Sequence, residues 1–372
     1  MRLVPVNCVR EGSYLGKTIL DSCGRALLKK GAKLDNPILK KIEMNGIYSV
    51  YIKDEYSENE LEDIIKPEIR QKAIKTIKES YENLMKYSKY REGNLLDFRK
   101  ASKSKYKYIE DIDKISRELL NEVLSKKNVL VNLVDIKTMD NYTYEHSIDV
   151  AVLSIIIGME LNFTENRLYK LTIGAILHDI GKIFIPKEVL LKNGRLTETE
   201  FSLIRKHPER GFNYIQDEDG IYPTSRIVIL QHHERINGTG YPYNLKGNKI
   251  HEFSKIVSLA DVYDALTSDR PYRLAIPPNE AVEYIMGGVG RYFDLKYVNA
   301  FLKRIVPYPE GTLVRMCNGD IGVVEKVNRE YPLRPKIKII WKKGKGKIAE
   351  HIDLMEVKNA VIKGVQYKIP NS

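Results

Sequence analysis

The segment LYKLTIGAILHDIGK, residues 168–182, decides how this sequence is interpreted, because an apolar helical pattern ends there in two polar residues. Gly181 is a typical helix stop, so His178 and Asp179 are predicted to project from a helix end. An imidazole and a carboxylate placed there can bind one divalent cation, and the second carboxylate oxygen can bind another. Taken alone, a His-Asp pair is more often an ordinary surface pair or a satisfied polar pair than a pair of metal ligands.

Further histidines cluster on other predicted helices. Five of the seven lie between residues 146 and 233, namely His146, His178, His207, His232 and His233, and Asp261 follows on one more helix. Such residues around one bundle resemble the inward-facing ligands of di-metal helical proteins, although a single buried histidine is more often a satisfied core group. Because no cysteine accompanies them, the ligands favour iron or manganese over structural zinc. The sequence therefore predicts a centre of two divalent metal ions.

Two neighbouring divalent ions are suited to the hydrolysis of phosphate esters. They lower the pKa of a bridging water, bind phosphoryl oxygens and balance the charge of an in-line displacement, so hydroxide is the expected nucleophile. Lys182, one turn beyond His178, can protonate the leaving alkoxide or neutralise the phosphate. A lysine at this position can also serve only to interact with the helix dipole.

Length and composition limit the class of protein. The chain has 372 residues, of which 43% are hydrophobic and 30% charged, and this excludes intrinsic disorder and fibrous folds. Its net charge of +12 suits an acidic partner. Three cysteines without CxxC spacing exclude a disulfide framework and indicate a reducing, cytoplasmic location. No signal-peptide pattern or membrane-length apolar run occurs, so no membrane insertion is expected.

The hydrophobic pattern predicts a mainly α protein with four parts. Residues 1–60 alternate short β-rich runs with glycine turns, which indicates a small β-containing regulatory domain. Residues 61–140 carry apolar residues at helical spacing and form a helical linker or regulatory region. Residues 141–306 form an all-helical catalytic domain. Residues 307–372, with an NG turn signal at residues 318–319, form a small β-rich domain.

Local signals add detail to this division. Thr197 and Glu200 have the spacing of a capping box, and Pro208 suits the first turn of a helix. The basic patch RKASKSKYKY, residues 99–108, is expected to be a solvated loop, since no motif for reading nucleic acid accompanies it. No nucleic-acid partner is therefore expected. His251 and His351 lie outside the clustered pattern and are expected to be incidental.

Five motifs together resemble one family. They are YTYEHS (142–147), HDIGK (178–182), HPERG (207–211), HHERINGTGYP (232–242) and ADVYDALTSDRPYR (260–273). In order and spacing they are similar to those of the HD-GYP subgroup of the HD phosphohydrolase superfamily. The resemblance covers roughly residues 140–306, and it implies an HD-type all-helical catalytic domain.

The resemblance also implies a function and a set of ligands. The expected enzyme is a bacterial phosphodiesterase that hydrolyses cyclic di-GMP to pGpG, and in some members onward to GMP, by a metal-bridged hydroxide. Matching positions assign one ion to His146, His178, Asp179 and Asp261, and the other to His207, His232 and His233. Asp179 bridges the two ions, and Lys182 takes the phosphate-facing or general-acid position.

Substrate contacts follow from the same resemblance. Tyr241 of the GYP loop lines the substrate pocket, while Arg270 and Arg273 contact the substrate phosphates. Each has a simpler alternative, a packed loop tyrosine in one case and ordinary salt bridges in the other. Asn237 and Asp264 are candidates for supporting the ligands from behind; Asp264, one helical turn from Asp261, can orient a neighbour.

The sequence departs from the family pattern at two positions. Some members hold a third metal with a glutamate where this chain has Tyr142, and the adjacent Glu145 points about 100° away on a helix, which argues against a third metal here. Leu274 stands where members often carry a lysine, which weakens one phosphate contact.

Two other functions stay open. One is a signalling module that binds a cyclic dinucleotide with little turnover, and the other is a hydrolase of a different cyclic dinucleotide or nucleotide, since the HD scaffold supports several reactions. The flanking domains resemble segments that accompany this family. Regulation, scaffolding and homodimer formation are the alternatives for them.

Overall fold

The computed structural model describes residues 1–21, 24–57, 63–88, 95–126, 129–131, 142–190, 192, 194–269 and 275–368. Within these ranges short strands lie at both ends of the chain, and a block of helices occupies the middle. The predicted mainly α fold with small β-containing parts at each end is confirmed.

The N-terminal part is a small sheet covered by one helix. Strands β1 (Arg2–Pro5), β2 (Tyr14–Leu15) and β5 (Ser49–Lys53) form an antiparallel sheet in the order β1-β5-β2, and β3 (Ile19–Leu20) pairs with β4 (Ala26–Leu28). Helix α1 (Asn36–Met44) begins at Asp35, whose carboxylate accepts the N–H of Ile38. The β-branched and leucine side chains between these elements form a core of their own.

Two long helices connect this part to the helical block. Helix α2 (Pro67–Ser88) begins at a proline, a residue suited to the first turn of a helix, and α3 (Leu95–Leu124) follows it. Residues 99–108 lie inside α3, so the prediction of a solvated loop there was wrong. Arginine, lysine and alanine are good helix formers, and the buried apolar face from Tyr108 to Val123 continues the same helix beyond the basic patch.

Among the described residues, nine further α-helices complete the block. They are α4 (Tyr142–Glu160), α5 (Glu165–Leu177), α6 (Lys187–Leu190), α7 (Glu198–Ile204), α8 (His207–Ile215), α9 (Pro223–Gln231), α10 (Glu252–Thr267), α11 (Pro278–Gly287) and α12 (Leu295–Leu302). Helix α4 is the centre, because every residue from 145 to 158 is buried and both α5 and α10 pack against it. A helix that is buried on every side lies inside the block, and this places His146 in the interior.

The helix ends agree with the sequence signals at two positions and differ at two others. Thr197 and Glu200 form the predicted capping box, and Pro208 lies in the first turn of α8. Helix α10 begins at His251, whose Nδ1 accepts the N–H of Phe253, so this histidine is a helix cap and not incidental. Helix α5 already ends at residue 177, and Gly181 lies in a following 3-10 helix, so Gly181 is not the stop.

The C-terminal part is a five-stranded antiparallel sheet in the order β10-β6-β7-β8-β9. Its strands are β6 (Leu313–Met316), β7 (Ile321–Lys326), β8 (Lys336–Lys342), β9 (Gly346–Asp353) and β10 (Ile362–Val365). The predicted turn at residues 318–319 joins β6 to β7, where Gly319 has a φ of 91°. Only a glycine adopts this value without strain, which explains the residue at the turn.

None of the described helices combines the length and the apolar composition that crossing a membrane requires.

Candidate metal centre

His178 and Asp179 follow α5 directly and are both buried, at 0% and 2% exposure. The Nδ1 of His178 donates to the carbonyl of Ala175 at 2.7 Å, which fixes the tautomer and leaves a lone pair on Nε2. That Nε2 atom is buried and has no hydrogen-bond partner among the described residues. A bound cation would satisfy a buried lone pair that has no donor.

His207 and His232 are oriented in the same way as His178, and their Nε2 atoms also face each other. The Nδ1 of His207 donates to the Ile204 carbonyl at 2.7 Å, and the Nδ1 of His232 donates to the Ile229 carbonyl at 3.0 Å. Their two Nε2 atoms then face each other at 3.2 Å. Two lone pairs at this distance repel each other, so either a proton or a metal cation must lie between the rings. Both side chains are completely buried.

His146 enters the same cluster from α4. Its Nδ1 lies 2.6 Å from Oδ2 of Asp264, and its Nε2 lies 3.2 Å from Oδ1 of Asp261. A carboxylate behind an imidazole orients the ring and raises its basicity as a ligand. Asp264, considered from the sequence only as a supporting residue, therefore contacts the ring of His146 directly.

Asp179 lies at the centre of the cluster. Its Oδ1 is 3.3 Å from Nε2 of His207, and its Oδ2 is 3.3 Å from Nε2 of His178 and 2.5 Å from Nζ of Lys182. Two groups of potential ligand atoms each fit within 4.8 Å, and Asp179 belongs to both. One is His146, His178 and Asp179, and the other is Asp179, His207, His232 and His233. Each oxygen of this carboxylate thus faces a different set of imidazoles.

His232, His233 and Asp179 have the protonation states of metal ligands, whereas at His178 burial opposes protonation but the Asp179 carboxylate outweighs it and raises the pKa. Burial, with the nearby imidazoles of His178 and His207, lowers the pKa of His232 to about 3, and burial also holds the pKa of His233 well below its usual value. Burial opposes the ionisation of Asp179, but Lys182 and His178 outweigh it and hold the pKa of this carboxyl well below its usual range. Neutral imidazoles and ionised carboxylates are the forms that bind divalent cations.

Asp261 extends the cluster between the two groups. It is 3.2 Å from His146, as given above, and its Oδ2 is 4.0 Å from Nδ1 of His233. Burial opposes its ionisation, but the adjacent imidazole of His146 holds the pKa of Asp261 well below its usual value. All seven residues that the sequence proposes as ligands are therefore neighbours around Asp179. Orphaned or mutually repelling lone pairs on three of them fit a positively charged group.

Close backbone packing brings the HDIGK and HPERG motifs together. A Cβ added at Gly181 would lie 1.9 Å from the carbonyl oxygen of His207, and one at Gly211 would lie 2.9 Å from the backbone N of Gly181. Any side chain at either position would push α8 away from Asp179. Sequence reasoning missed this role, although the glycine in each motif was the available signal.

The loop after α9 places Tyr241 beside the cluster. Its ring stacks on His233 with centroids 4.6 Å apart and an interplanar angle of 28°. The buried carboxylate of Glu234 shapes the loop by accepting the N–H groups of Tyr243 and Leu245 at 2.7 and 2.9 Å. Glu234 was not singled out from the sequence. Asn237 turns the same loop, since its side-chain oxygen accepts the N–H of Thr239.

The remaining sequence proposals divide into two groups. Tyr142 is the first residue of α4 and stacks on His146, with centroids 5.8 Å apart and planes within 9°. Its aromatic ring thus lies against the centre, at the position where some family members have a glutamate that holds a third metal. Arg270, Arg273 and Leu274 lie outside the described residues, so their predicted substrate contacts stay predictions.

Comparison with known protein families gives the same class of domain. Residues 122–296 match the model of the HD domain, and residues 313–367 match the model of a KOW domain associated with HD domains. The first match confirms the predicted HD-type helical fold. The second match covers the β-rich C-terminal part.

Several relatives have printed functions. A cyclic di-GMP phosphodiesterase of Pseudomonas aeruginosa is 38% identical over 224 residues, which are 60% of this chain and 54% of that protein. The cyclic di-GMP phosphodiesterase response regulator RpfG of Xanthomonas campestris is 32% identical over 57% of this chain and 57% of its own length. A 3'3'-cGAMP-specific phosphodiesterase of Vibrio cholerae is 35% identical over 44% of this chain and 37% of that protein. The chain thus covers less than two thirds of each of these relatives.

Proposed function

We propose that this chain, whose residues 122–296 form an HD domain, is a metal-dependent phosphodiesterase that hydrolyses cyclic di-GMP to pGpG. The observation that carries the proposal is the pair of buried Nε2 atoms of His207 and His232, 3.2 Å apart beside the Asp179 carboxylate. This arrangement suits a cation and has no evident structural purpose. The names of the two cyclic di-GMP phosphodiesterases among the relatives support the choice of substrate.

Two divalent ions, iron or manganese, would occupy the centre. His146, His178, Asp179 and Asp261 would hold one, and His207, His232 and His233 the other, with Asp179 shared. When bound, such ions polarise a phosphodiester and make water a stronger nucleophile at neutral pH. The ligand set supports this choice, because it consists of imidazoles and carboxylates without a thiolate.

Lys182 acts next to these ligands. Its ammonium group donates to Oδ2 of Asp179 at 2.5 Å, and 30% of its side chain remains exposed at the mouth of the site. From there it can neutralise a phosphate oxygen or give a proton to the alkoxide that leaves when the P–O bond breaks. Tyr241 would bound the substrate pocket on the side of His233. Arg270 and Arg273 are proposed to bind the substrate phosphates.

A specific alternative exists for the substrate, namely 3'3'-cGAMP. A 3'3'-cGAMP-specific enzyme is as similar in sequence as the cyclic di-GMP enzymes over the region it shares with this chain. The reaction would be the same, but one guanine would be replaced by adenine. Further hydrolysis of pGpG to GMP is an additional step that the same centre can perform.

Metal-loaded protein and cyclic dinucleotides provide the test. Protein reconstituted with Fe²⁺ or Mn²⁺ is incubated with cyclic di-GMP and separately with 3'3'-cGAMP, and the products are resolved by chromatography. We expect pGpG from cyclic di-GMP at the higher rate. Tight binding without products would instead indicate a signalling module, and faster cleavage of cGAMP would change the substrate.

Two variants separate metal binding from chemistry. Asp179→Ala removes a carboxylate that faces both ligand groups, so bound metal and activity should both be lost. Lys182→Ala should keep the metal, measured by elemental analysis, and lose about 100-fold or more in rate. An equal loss of metal in both variants would show that Lys182 has no separate role.

Location and assembly remain proposals as well. We propose a cytoplasmic enzyme, which the absence of any disulfide-like cysteine spacing in the sequence supports. A homodimer is the proposed assembly, and sedimentation of the full chain would test it.

A further inference from the structure

Arg205 occupies the end of α7, at the rim of the metal centre. Its Cζ atom lies 4.9 Å from the centroid of the Tyr241 ring and 5.9 Å from that of Phe201. Neither the ligand motifs nor the predicted substrate contacts include Arg205 or Phe201. The arginine is exposed, and the phenylalanine is 43% exposed although it is a large apolar side chain.

The guanidinium of Arg205 is held by aromatic faces and not by an acid. Among the described residues no carboxylate pairs with it and no carbonyl accepts from it, whereas nearby Arg210 donates to the Phe184 carbonyl at 2.8 Å. A guanidinium stacked on a ring loses little freedom and keeps its N–H edge available for a ligand. The edge of Arg205 is therefore available to a planar acceptor pair.

The position of Arg205 indicates which part of a substrate can reach it. Tyr241, which Arg205 contacts, stacks in turn on the proposed ligand His233. Arg205 thus lies one aromatic ring beyond the metal ligands, while the scissile phosphate must lie at them. In a cyclic dinucleotide, the group that extends from the phosphate by about the width of a ring is the base, which is attached through the ribose. The exposed ring of Phe201 offers a face on which such a base can stack.

We propose that Phe201 and Arg205 form a base subsite that recognises one guanine of the dinucleotide. This inference rests on the proposed function. Guanine presents O6 and N7 as two neighbouring acceptors, which match the N–H fork of an arginine. Adenine presents N7 beside an amino group, which would face the fork donor to donor. Arg205 would therefore favour guanine over adenine, and it is a specificity residue for the proposed reaction.

Arg205 variants test the inference in the full-length, metal-loaded chain. The quantities are kcat/KM and the dissociation constant for cyclic di-GMP and for cyclic di-AMP. Arg205→Ala should lower kcat/KM for cyclic di-GMP about 10- to 100-fold and change that for cyclic di-AMP less than about 3-fold. Arg205→Lys keeps the charge without the fork and should lose nearly as much. The matched control Lys206→Ala, which removes the adjacent exposed cation, should leave both substrates unchanged.

Phe201→Leu provides a second, independent measurement. Loss of the aromatic face should weaken binding of both dinucleotides by a similar factor, because every base has a face that can stack. An equal loss with both substrates in Arg205→Ala, or full rescue by Arg205→Lys, would identify a phosphate contact and overturn base recognition. Unchanged kinetics in Arg205→Ala would overturn it too. If wild-type protein binds and cleaves no cyclic dinucleotide, the proposed function itself fails, and this inference fails with it.

Discussion

At the scale of single residues, the imidazoles of the centre are aimed by two different kinds of acceptor. His178, His207 and His232 each donate from Nδ1 to a backbone carbonyl three residues earlier. A helix terminus leaves such carbonyls without an intrahelical donor, so a histidine there can be oriented by a carbonyl without breaking a backbone hydrogen bond. His146 differs, because it lies inside α4, where the carbonyls are already used, and it depends on the carboxylate of Asp264.

Asp264→Asn tests this dependence. The amide keeps the size of the side chain but removes the charge that holds the His146 ring and raises its basicity. We expect metal affinity to fall about 10- to 100-fold, with the loss confined to one of two ions. Competition with a chelator, followed by elemental analysis, measures the affinity and the stoichiometry.

Asp294→Asn is the control for that variant. Asp294 caps α12 by accepting the N–H of Lys296, and asparagine caps a helix nearly as well. Its metal content should equal that of the wild type. A similar loss of metal in both variants would show that Asp264 acts through general stability.

The residues differ in how far the sequence could reveal them. The seven proposed ligands were identifiable because each belongs to a motif, and the structure brings all seven together around Asp179. Glu234 also lies in a motif, but its contribution is two backbone hydrogen bonds in a loop whose path the sequence does not show. Arg205 belongs to no pattern, since only the folded chain places α7 against Tyr241.

At the scale of elements, the contact between the HDIGK segment and α8 determines whether the two ligand groups meet. Gly181→Ala would put a methyl group 1.9 Å from the His207 carbonyl oxygen, which is backbone and cannot turn aside. We expect the free energy of unfolding to fall by about 1–3 kcal/mol and bound metal to fall with it, since His207 moves away from Asp179. Denaturant unfolding of the metal-free protein and elemental analysis of the loaded protein measure the two effects.

Gly287→Ala is the matched substitution. A Cβ at this last residue of α11 would meet nothing within 4 Å, and alanine favours a helix by up to about 1 kcal/mol. This variant should keep its metal and its stability. Normal metal content in Gly181→Ala would mean that the two motifs do not need this close approach.

A second element-level contact joins the end of α4 to the end of α12. Glu160 accepts from Arg304 at 2.7 Å and lies 3.2 Å from Lys303. Burial opposes its ionisation, but Arg304 and Lys303 outweigh this and lower the pKa of Glu160. A lowered pKa stabilises the fold above the unfolded pKa of about 4.3, and this stabilisation is lost as the pH falls through the folded value.

Glu160→Gln should therefore reduce the free energy of unfolding by about 1 kcal/mol at pH 7, an amount limited by partial exposure. The difference from wild type should shrink below about pH 4.3 as the wild-type carboxylate becomes protonated. Denaturant melts at a series of pH values give both quantities. Glu330→Gln, at an exposed glutamate, is the control and should show no difference at any pH. A pH-independent difference for Glu160→Gln would exclude the charged contact as its cause.

The prediction of helix ends and turns succeeded where a few adjacent residues determine the structure. The capping box at Thr197 and the turn at Gly319 are set by a few adjacent residues, and both were identified. The prediction for the basic patch in α3 was wrong, because composition suggested a solvated loop whereas the patch continues into a helix that buries apolar residues from Tyr108 to Val123. The cap at His251 was missed for a different reason, since histidine is not among the residues that usually cap helices.

At the scale of the whole molecule, the two ends of the chain meet beside the helical block. Nη2 of Arg2 lies 3.5 Å from the carbonyl of Tyr367, and the Tyr367 side chain packs against the N-terminal core. A cavity of about 90 Å³ at this junction is lined by residues of all three regions, including Tyr51, Ile276 and Pro309. The sequence identified the regions by their periodicity. It could not show that their ends touch, because no local pattern encodes a contact between residues 2 and 367.

Tyr367→Ala tests whether this junction stabilises the N-terminal sheet. Removing a half-buried aromatic ring should cost about 2 kcal/mol, and the loss should be mainly local, because the ring packs against the N-terminal core. Hydrogen exchange followed by mass spectrometry should show faster exchange in β1 and β5 and unchanged exchange in α5. Tyr331→Ala, at a tyrosine that is 53% exposed, should change neither. Faster exchange throughout the helical block would mean that the two ends support the whole fold, and that the N-terminal sheet cannot loosen independently of the metal centre.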